Sequence, residues 1–159
     1  MGGVRKNLRD EDFENVDAGE PHILIPNEGN YPARFDYGET KHYTSWGEKL
    51  IFHWIVFLSQ DQSQSVSLNR YYNLERSGGG QFKFGPLHDY RKDWIAARRG
   101  KVPVDRTRLS ISIWKKSLFV VEVQTVRNDG RGRPLSPSFY WSKVARVIRP
   151  IEEGECWEG

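Results

Sequence analysis

GPLHDYRKDWIAARRG, residues 85–100, is the stretch on which the fold turns. Gly85-Pro86 supplies a start, because proline is pre-set for a first helical position. Leu87, Tyr90, Trp94 and Ile95 form an apolar stripe at helical spacing. Arg98 and Arg99 fall in the last turn, where cations favour the negative end of the macrodipole. Gly100 is a natural stop. The sequence predicts one helix here. On both sides of it the apolar period changes to that of strands.

Before the helix, residues 31–39 alternate, with Tyr31, Ala33, Phe35 and Tyr37 on one face and Arg34 and Asp36 on the other. Residues 40–48 read as a loop containing Trp46-Gly47. Residues 49–58 are apolar on both faces, as a doubly covered strand would be. Asp61 to Ser63 is a polar turn, and residues 65–73 alternate again with Val66, Leu68 and Tyr72 on one side. Gly78-Gly79-Gly80 is a break.

After the helix, Leu109 to Trp114 reads as a short extra extended piece before a Lys115-Lys116 turn. Residues 118–126 form a strand with Phe119, Val121 and Val123 on one face. Residues 127–138 (RNDGRGRPLSPS) are a basic loop, and residues 140–148 a last strand closed by Pro150. Three strands, a helix and two strands is the connectivity of an OB-fold. The expected fold is therefore mainly β, a five-stranded OB-fold-like barrel with one helix between strands 3 and 4. An SH3-like barrel lacks so long a helix there, and an immunoglobulin-type sandwich wants more strands.

Charge divides the chain in three. Residues 1–30 hold three bases and seven acids, residues 31–150 hold 21 bases and ten acids, and residues 151–159 hold four acids and no base. A domain of net +11 thus lies between two ends of −4 each. The expected organisation is a disordered acidic tail over 1–20, a basic domain over 21–150 and an acidic tail over 151–159. The PHILIP segment, residues 21–26, is an extended apolar piece suited to lie on the core as an edge. All aromatic residues except Phe13 and Trp157 belong to the basic middle. Bases interleaved with aromatics are the footprint of single-strand nucleic-acid binding.

The middle is long enough for a core without staples. The single cysteine, Cys156, allows no intrachain disulfide and fits a reducing cytoplasm. Residues 1–20 show no signal-peptide apolar region, and no apolar stretch is long enough to span a bilayer, so no membrane partner is expected.

OB-folds bind oligonucleotides across strands 2 and 3, with the loops joining strands 1–2 and 4–5 closing over the ligand. The first loop contributes Lys41, Tyr43 and Trp46 as candidates, beside His42; the second contributes Arg127, Arg131 and Arg133. Arg34, Arg70 and Tyr72 are candidates on the strand surface. Rings stack on any base, and guanidinium groups neutralise phosphate. Each has a plainer reading: the 130–133 segment as a solvated hairpin tip, Trp46 as a cap on the core, the strand arginines as solvated surface. Phe52, Trp54, Trp94 and Phe119 are assigned to the core, and the Arg98-Arg99-Lys101 run to a solvated helix end.

Signatures of catalysis are missing. His22, His42, His53 and His88 are dispersed with no paired-ligand spacing, and 78–80 precedes no Lys-Ser/Thr. Asp89 and Asp93 share a helix face near Arg91 and Lys92, where ion pairing is favoured over a metal. No enzyme activity, metal or cofactor is expected.

Gly29-Asn30-Tyr31-Pro32-Ala33-Arg34, followed by Gly47-Glu48-Lys49-Leu50-Ile51-Phe52, resembles a phage and mobile-element family of small OB-fold single-stranded DNA-binding proteins. That family opens with a G-x-Y-x-A strand and enters its second strand through G-x-x-L. Asp105 to Trp114 followed by Phe119 to Val126, and then Tyr140-Trp141-Ser142-Lys143-Val144, are similar to its later part, so the resemblance covers roughly 29–148. It implies single-stranded DNA binding in replication or recombination of an element, and it brings no catalytic residues. Bacterial single-strand binding proteins end in an acidic tip finishing Pro-Phe, whereas this chain ends Trp157-Glu158-Gly159.

The expected function is single-stranded DNA binding with little sequence preference. The alternatives are a protein-interaction module or inhibitor using the same basic aromatic face, and an RNA-binding barrel. Whether the acidic tail competes for the basic face or recruits a protein, and whether the chain forms a homo-oligomer, the sequence leaves open.

Overall fold

The computed structural model describes residues 23–44, 47–76, 78–80, 82–102 and 109–155. Strands β1 (Gly29–Tyr43), β2 (Gly47–Phe57), β3 (Ser65–Asn73), β6 (Phe119–Val126) and β7 (Trp141–Pro150) form one sheet in the order β3-β2-β1-β6-β7. Every neighbouring pair is antiparallel. The two-residue strands β4 (Glu75–Arg76) and β5 (Phe82–Lys83) make a separate hairpin around the glycine break. Helix α1 (Asp89–Ala97) lies between β3 and β6 in the chain.

Strands β1–β3, β6 and β7 thus fall where the alternation put them. The first strand is longer than expected: β1 runs to Tyr43 and β2 begins at Gly47, so most of the predicted 40–48 loop is strand. Thr40, Lys41, His42 and Tyr43 continue the ladder with Leu50, Lys49, Glu48 and Gly47.

Two local readings are corrected. The helix does not start at Pro86; His88 is its N-cap, its Nδ1 accepting a hydrogen bond from the Tyr90 amide at 3.1 Å. Leu87 therefore precedes the helix and is 84 % exposed rather than part of the apolar stripe. The 109–114 piece is not a strand but leads into a 3₁₀ turn over Ile111–Lys115. The Ser110 hydroxyl caps that turn on the Ser112 amide at 3.2 Å, a local bond that competes with a ladder. Its Ser-Ile alternation imitated a strand, while Trp114 is the residue it buries.

The core is an aromatic network. Phe52 meets Phe35, Tyr72, Tyr90 and Trp114 edge-on at 4.8–5.8 Å between centroids. Trp54 meets Trp114 and Phe119 at 5.8 Å. Such pairs contribute roughly 0.5–1.5 kcal/mol each beyond the area they bury. Gly38 is required by this packing: a Cβ there would stand 2.9 Å from Phe52 Cε1.

The edge strands β3 and β7 approach one another without a shared ladder. Two devices occupy that seam. At one end, the Ile23 carbonyl accepts from the Ser142 amide at 2.8 Å and the Ile25 amide donates to Ser142 Oγ at 2.9 Å. This seats Ile25 in the core, as expected of the PHILIP segment. At the other end stands Asp93 of α1, buried at 3 % exposure. Its Oδ2 accepts from Tyr72 Oη at 2.6 Å and Arg70 Nε at 3.0 Å, both on β3; its Oδ1 accepts from the Val147 amide of β7 at 3.1 Å. One carboxylate thus pins the helix to both edges of the sheet.

Candidate nucleic-acid interface

Alternation along β1, β2 and β3 sends one set of side chains into the core and leaves the other on the outer face. On β2 the inward set is Leu50, Phe52, Trp54 and Val56, all in the core cluster. The outer face is then read in rows across the ladders: Arg34 with Ile55 and Ser67; Tyr37 with His53 and Asn69; Glu39 with Ile51 and Tyr71; Lys41 with Lys49 and Asn73.

Tyr37 reaches this face through a β-bulge. The register shifts between Phe35 and Tyr37, so Asp36 is the extra residue and the parity of the strand inverts there. Tyr37 consequently parts from Ala33 and Phe35, with which strict alternation groups it. It is 48 % exposed and stacks on His53 at 4.1 Å and 14°. His53, 4 % exposed, is held from its other side by Glu39, whose Oε1 lies 3.2 Å from Nε2. The same face carries Arg34, exposed, in the row before this stack, and Lys41 and Lys49, partly exposed, two rows beyond it. Lys41 lies 3.6 Å from Glu39, and Lys49 bonds Asn73. A second pair of rings, Tyr71 of β3 and Trp141 of β7, meets edge to face at 6.0 Å. Asn69 Nδ2 donates to Tyr71 Oη at 3.1 Å.

The basic loop leads directly into Trp141. It is a tight turn organised by Asp129, whose Oδ1 accepts from the Arg131 and Arg133 amides at 2.9 Å each. These backbone bonds, chiefly that of Arg133, hold the Asp129 carboxyl below its ordinary range. Gly132 takes the left-handed φ of +78° that the turn needs. Arg133 is paired with Asp129 at 3.1 Å and Arg127 with Glu28 at 2.6 Å, while Arg131 is exposed at the tip.

The sequence-predicted residues separate into three groups. Arg34, Lys41 and Tyr43 lie on β1, and Arg127, Arg131 and Arg133 in the loop that precedes Trp141. Arg70 and Tyr72 are corrected: they point inward. Tyr72 is 1 % exposed within the aromatic core, and Arg70, 9 % exposed, is committed to Asp93. Burial works against the Arg70 charge, and the Asp93 carboxylate more than restores it. Neither residue is presented to a ligand. Trp46 lies outside the described residues, as do the expected N-terminal tail over 1–20 and the end of the C-terminal one. Of the ion pairing expected along the helix, Asp89 has Lys92 at 3.9 Å, whereas the partner of Asp93 is Arg70 on β3 rather than a helix neighbour.

Tyr37, His53, Tyr71, Trp141 and Lys49 were not singled out by the sequence. A signal existed for Tyr71, which has the opposite parity to Leu68 and Tyr72. None existed for Tyr37, whose placement depends on the bulge.

Among the described residues no helix is long and apolar enough to cross a membrane, and no group of three or more His, Cys, Asp or Glu is placed to hold a metal ion. No protein-family model, curated protein or solved structure matches the chain.

Proposed function

We propose that this protein binds single-stranded DNA, with little sequence preference, on the outer face of β1–β3 and along the loop that leads into β7. The observation that carries the reading is the Tyr37–His53 stack, a half-exposed ring on the face that also carries Arg34, Lys41 and Lys49. Every base has a π-face, so a ring on a basic surface favours single strands of any sequence. The Tyr71–Trp141 pair offers a second aromatic platform, and Arg131 an exposed cation in the loop that precedes β7.

The strand order supports an OB-fold-like barrel in which β6 and β7 are strands 4 and 5, the β4–β5 hairpin is an insertion, and the seam between β3 and β7 is the open side. In that fold the ligand crosses strands 2 and 3. The resemblance over residues 29–148 points to replication or recombination of a phage or mobile element as the setting.

Fluorescence anisotropy of a labelled oligothymidine titrated with the full chain, over a series of salt concentrations, tests the reading. Binding at low salt that weakens steeply as salt rises is expected, since each neutralised phosphate releases counterion. No binding at micromolar protein and low salt overturns it. An RNA oligonucleotide that competes better than DNA would transfer the site to RNA.

A further inference from the structure

Between α1 and the outer side of β6 and β7, next to the seam, lies an open cleft of about 740 Å³. Four cations line it, and three are compensated. Arg70 is paired with Asp93 at 3.0 Å and lies 4.0 Å from Asp89. Lys92 stands 3.9 Å from Asp89, and Arg146 is paired with Glu122. The fourth, Lys143 of β7, is half-buried and has no hydrogen bond or ion pair for its ammonium among the described residues. Burial pushes that ammonium down from its ordinary range, the nearby Arg70 adds to the effect, and Asp89 offsets only part of it. A half-buried ammonium with no protein partner among the described residues, set in an open cleft, is available to an anion.

The position of Lys143 says which anion. Trp141 and Lys143 are alternate residues of β7, with unbroken register to Val126 and Gln124 on β6, so they share a side of the strand. Trp141 contacts Tyr71 across the seam. A strand stacked on those two rings has its backbone next to the cleft mouth.

We infer that Lys143 is a phosphate-binding residue, and that the cleft between α1 and β7 takes a phosphodiester group of the single strand lying on Tyr71 and Trp141. This rests on the function proposed above. The group is bound by charge and hydrogen bonding alone, with no covalent step.

Lys143→Met and Lys143→Arg, in the full chain, test it by anisotropy with labelled oligothymidine across potassium chloride concentrations. Lys143→Met should bind more weakly, and its slope of log K against log salt should shrink by about 0.7, the value for one phosphate contact on a single strand. Lys143→Arg should keep the wild-type slope. Both should melt at or above the wild-type temperature, because no native ion pair is removed. A wild-type slope in Lys143→Met overturns the inference and leaves the proposed function standing; no binding by the wild type overturns both. Reductive methylation with ¹³C-formaldehyde separates the sources of phosphate. The Lys143 signal should move on adding the oligonucleotide, and a signal that moves with inorganic phosphate but not with the oligonucleotide overturns the strand as ligand.

Discussion

Arg70 on β3 and Asp93 on α1 form a buried ion pair, Nε to Oδ2 3.0 Å, that closes the seam between the two edge strands from the helix side. The same carboxylate holds Tyr72 and the Val147 amide. Burial raises the Asp93 pKa, and its three donors pull it back only in part. Taking two charges out of water offsets much of what such a pair gains, whereas removing one partner strands the other.

Removing one partner should be costly. Asp93→Asn leaves the Arg70 guanidinium buried without its counter-charge, and urea unfolding should show a loss of about 3–5 kcal/mol. The double change Arg70→Met with Asp93→Leu should recover most of that. A double variant as unstable as Asp93→Asn would show that the hydrogen bonds to Tyr72 and Val147, not the charge balance, hold the seam.

The outer and inner tyrosines should behave oppositely. Tyr37→Ala should weaken single-stranded DNA binding by roughly 1–3 kcal/mol, about 5- to 150-fold, with little effect on melting. Tyr72→Phe deletes a hydroxyl that donates to Asp93 at 2.6 Å, so it should cost stability, about 1–3 kcal/mol, and leave affinity unchanged. The two variants measured side by side by anisotropy and urea titration check the assignment of faces.

Gly38→Ala should destabilise by roughly 1–3 kcal/mol, because the new methyl meets the Phe52 ring at 2.9 Å within a filled aromatic core. The urea midpoint reads this directly. A variant of wild-type stability would mean that the Phe52 ring moves aside freely.

The β2–β3 turn carries a pH signature. Hydrogen bonds from the Ser63 side chain and backbone, and from Ser59, lower the Asp61 pKa to about 2. A depressed folded-state pKa gives stability that is present above the unfolded value, 3.8, and lost as pH falls through about 2. The Asp61 carboxyl carbon, followed by NMR, should titrate near 2 in the wild type and nearer its ordinary value in Ser63→Ala. Equal midpoints would remove the serine as the cause.

Much of the scaffold was legible because burial imposes a period. Residues 65–73 alternate without interruption, and β3 occupies those residues. Residues 49–58 are apolar on both faces because β2 is buried on its outward side as well, with Ile51 at 1 % and Phe57 at 8 % exposure, so the accessible rings of that face come from Tyr37 of β1 and Tyr71 of β3. The same rule, applied through residue 70, already places Arg70 beside Leu68 and Tyr72 on the inward side. Its charge suggested the surface, and only the distant Asp93 makes an inward arginine tenable. Tyr37 was hidden by a one-residue bulge that leaves no mark on composition. Trp141 pairs with Tyr71 only because the sheet curls its two edges together. The 3₁₀ turn at 111–115 was hidden by a serine cap within an apparent strand pattern.

A single strand is expected to lie across Tyr37, which is backed by the buried His53, and across Tyr71 and Trp141. Chemical-shift mapping of the labelled protein with an unlabelled oligothymidine tests it most directly. The largest shifts should fall on Arg34, Tyr37, His53, Tyr71 and Trp141 and at the 127–133 loop, with Tyr72 and Tyr90 unmoved. Shifts confined to other surfaces, or none at saturating oligonucleotide, would contradict it.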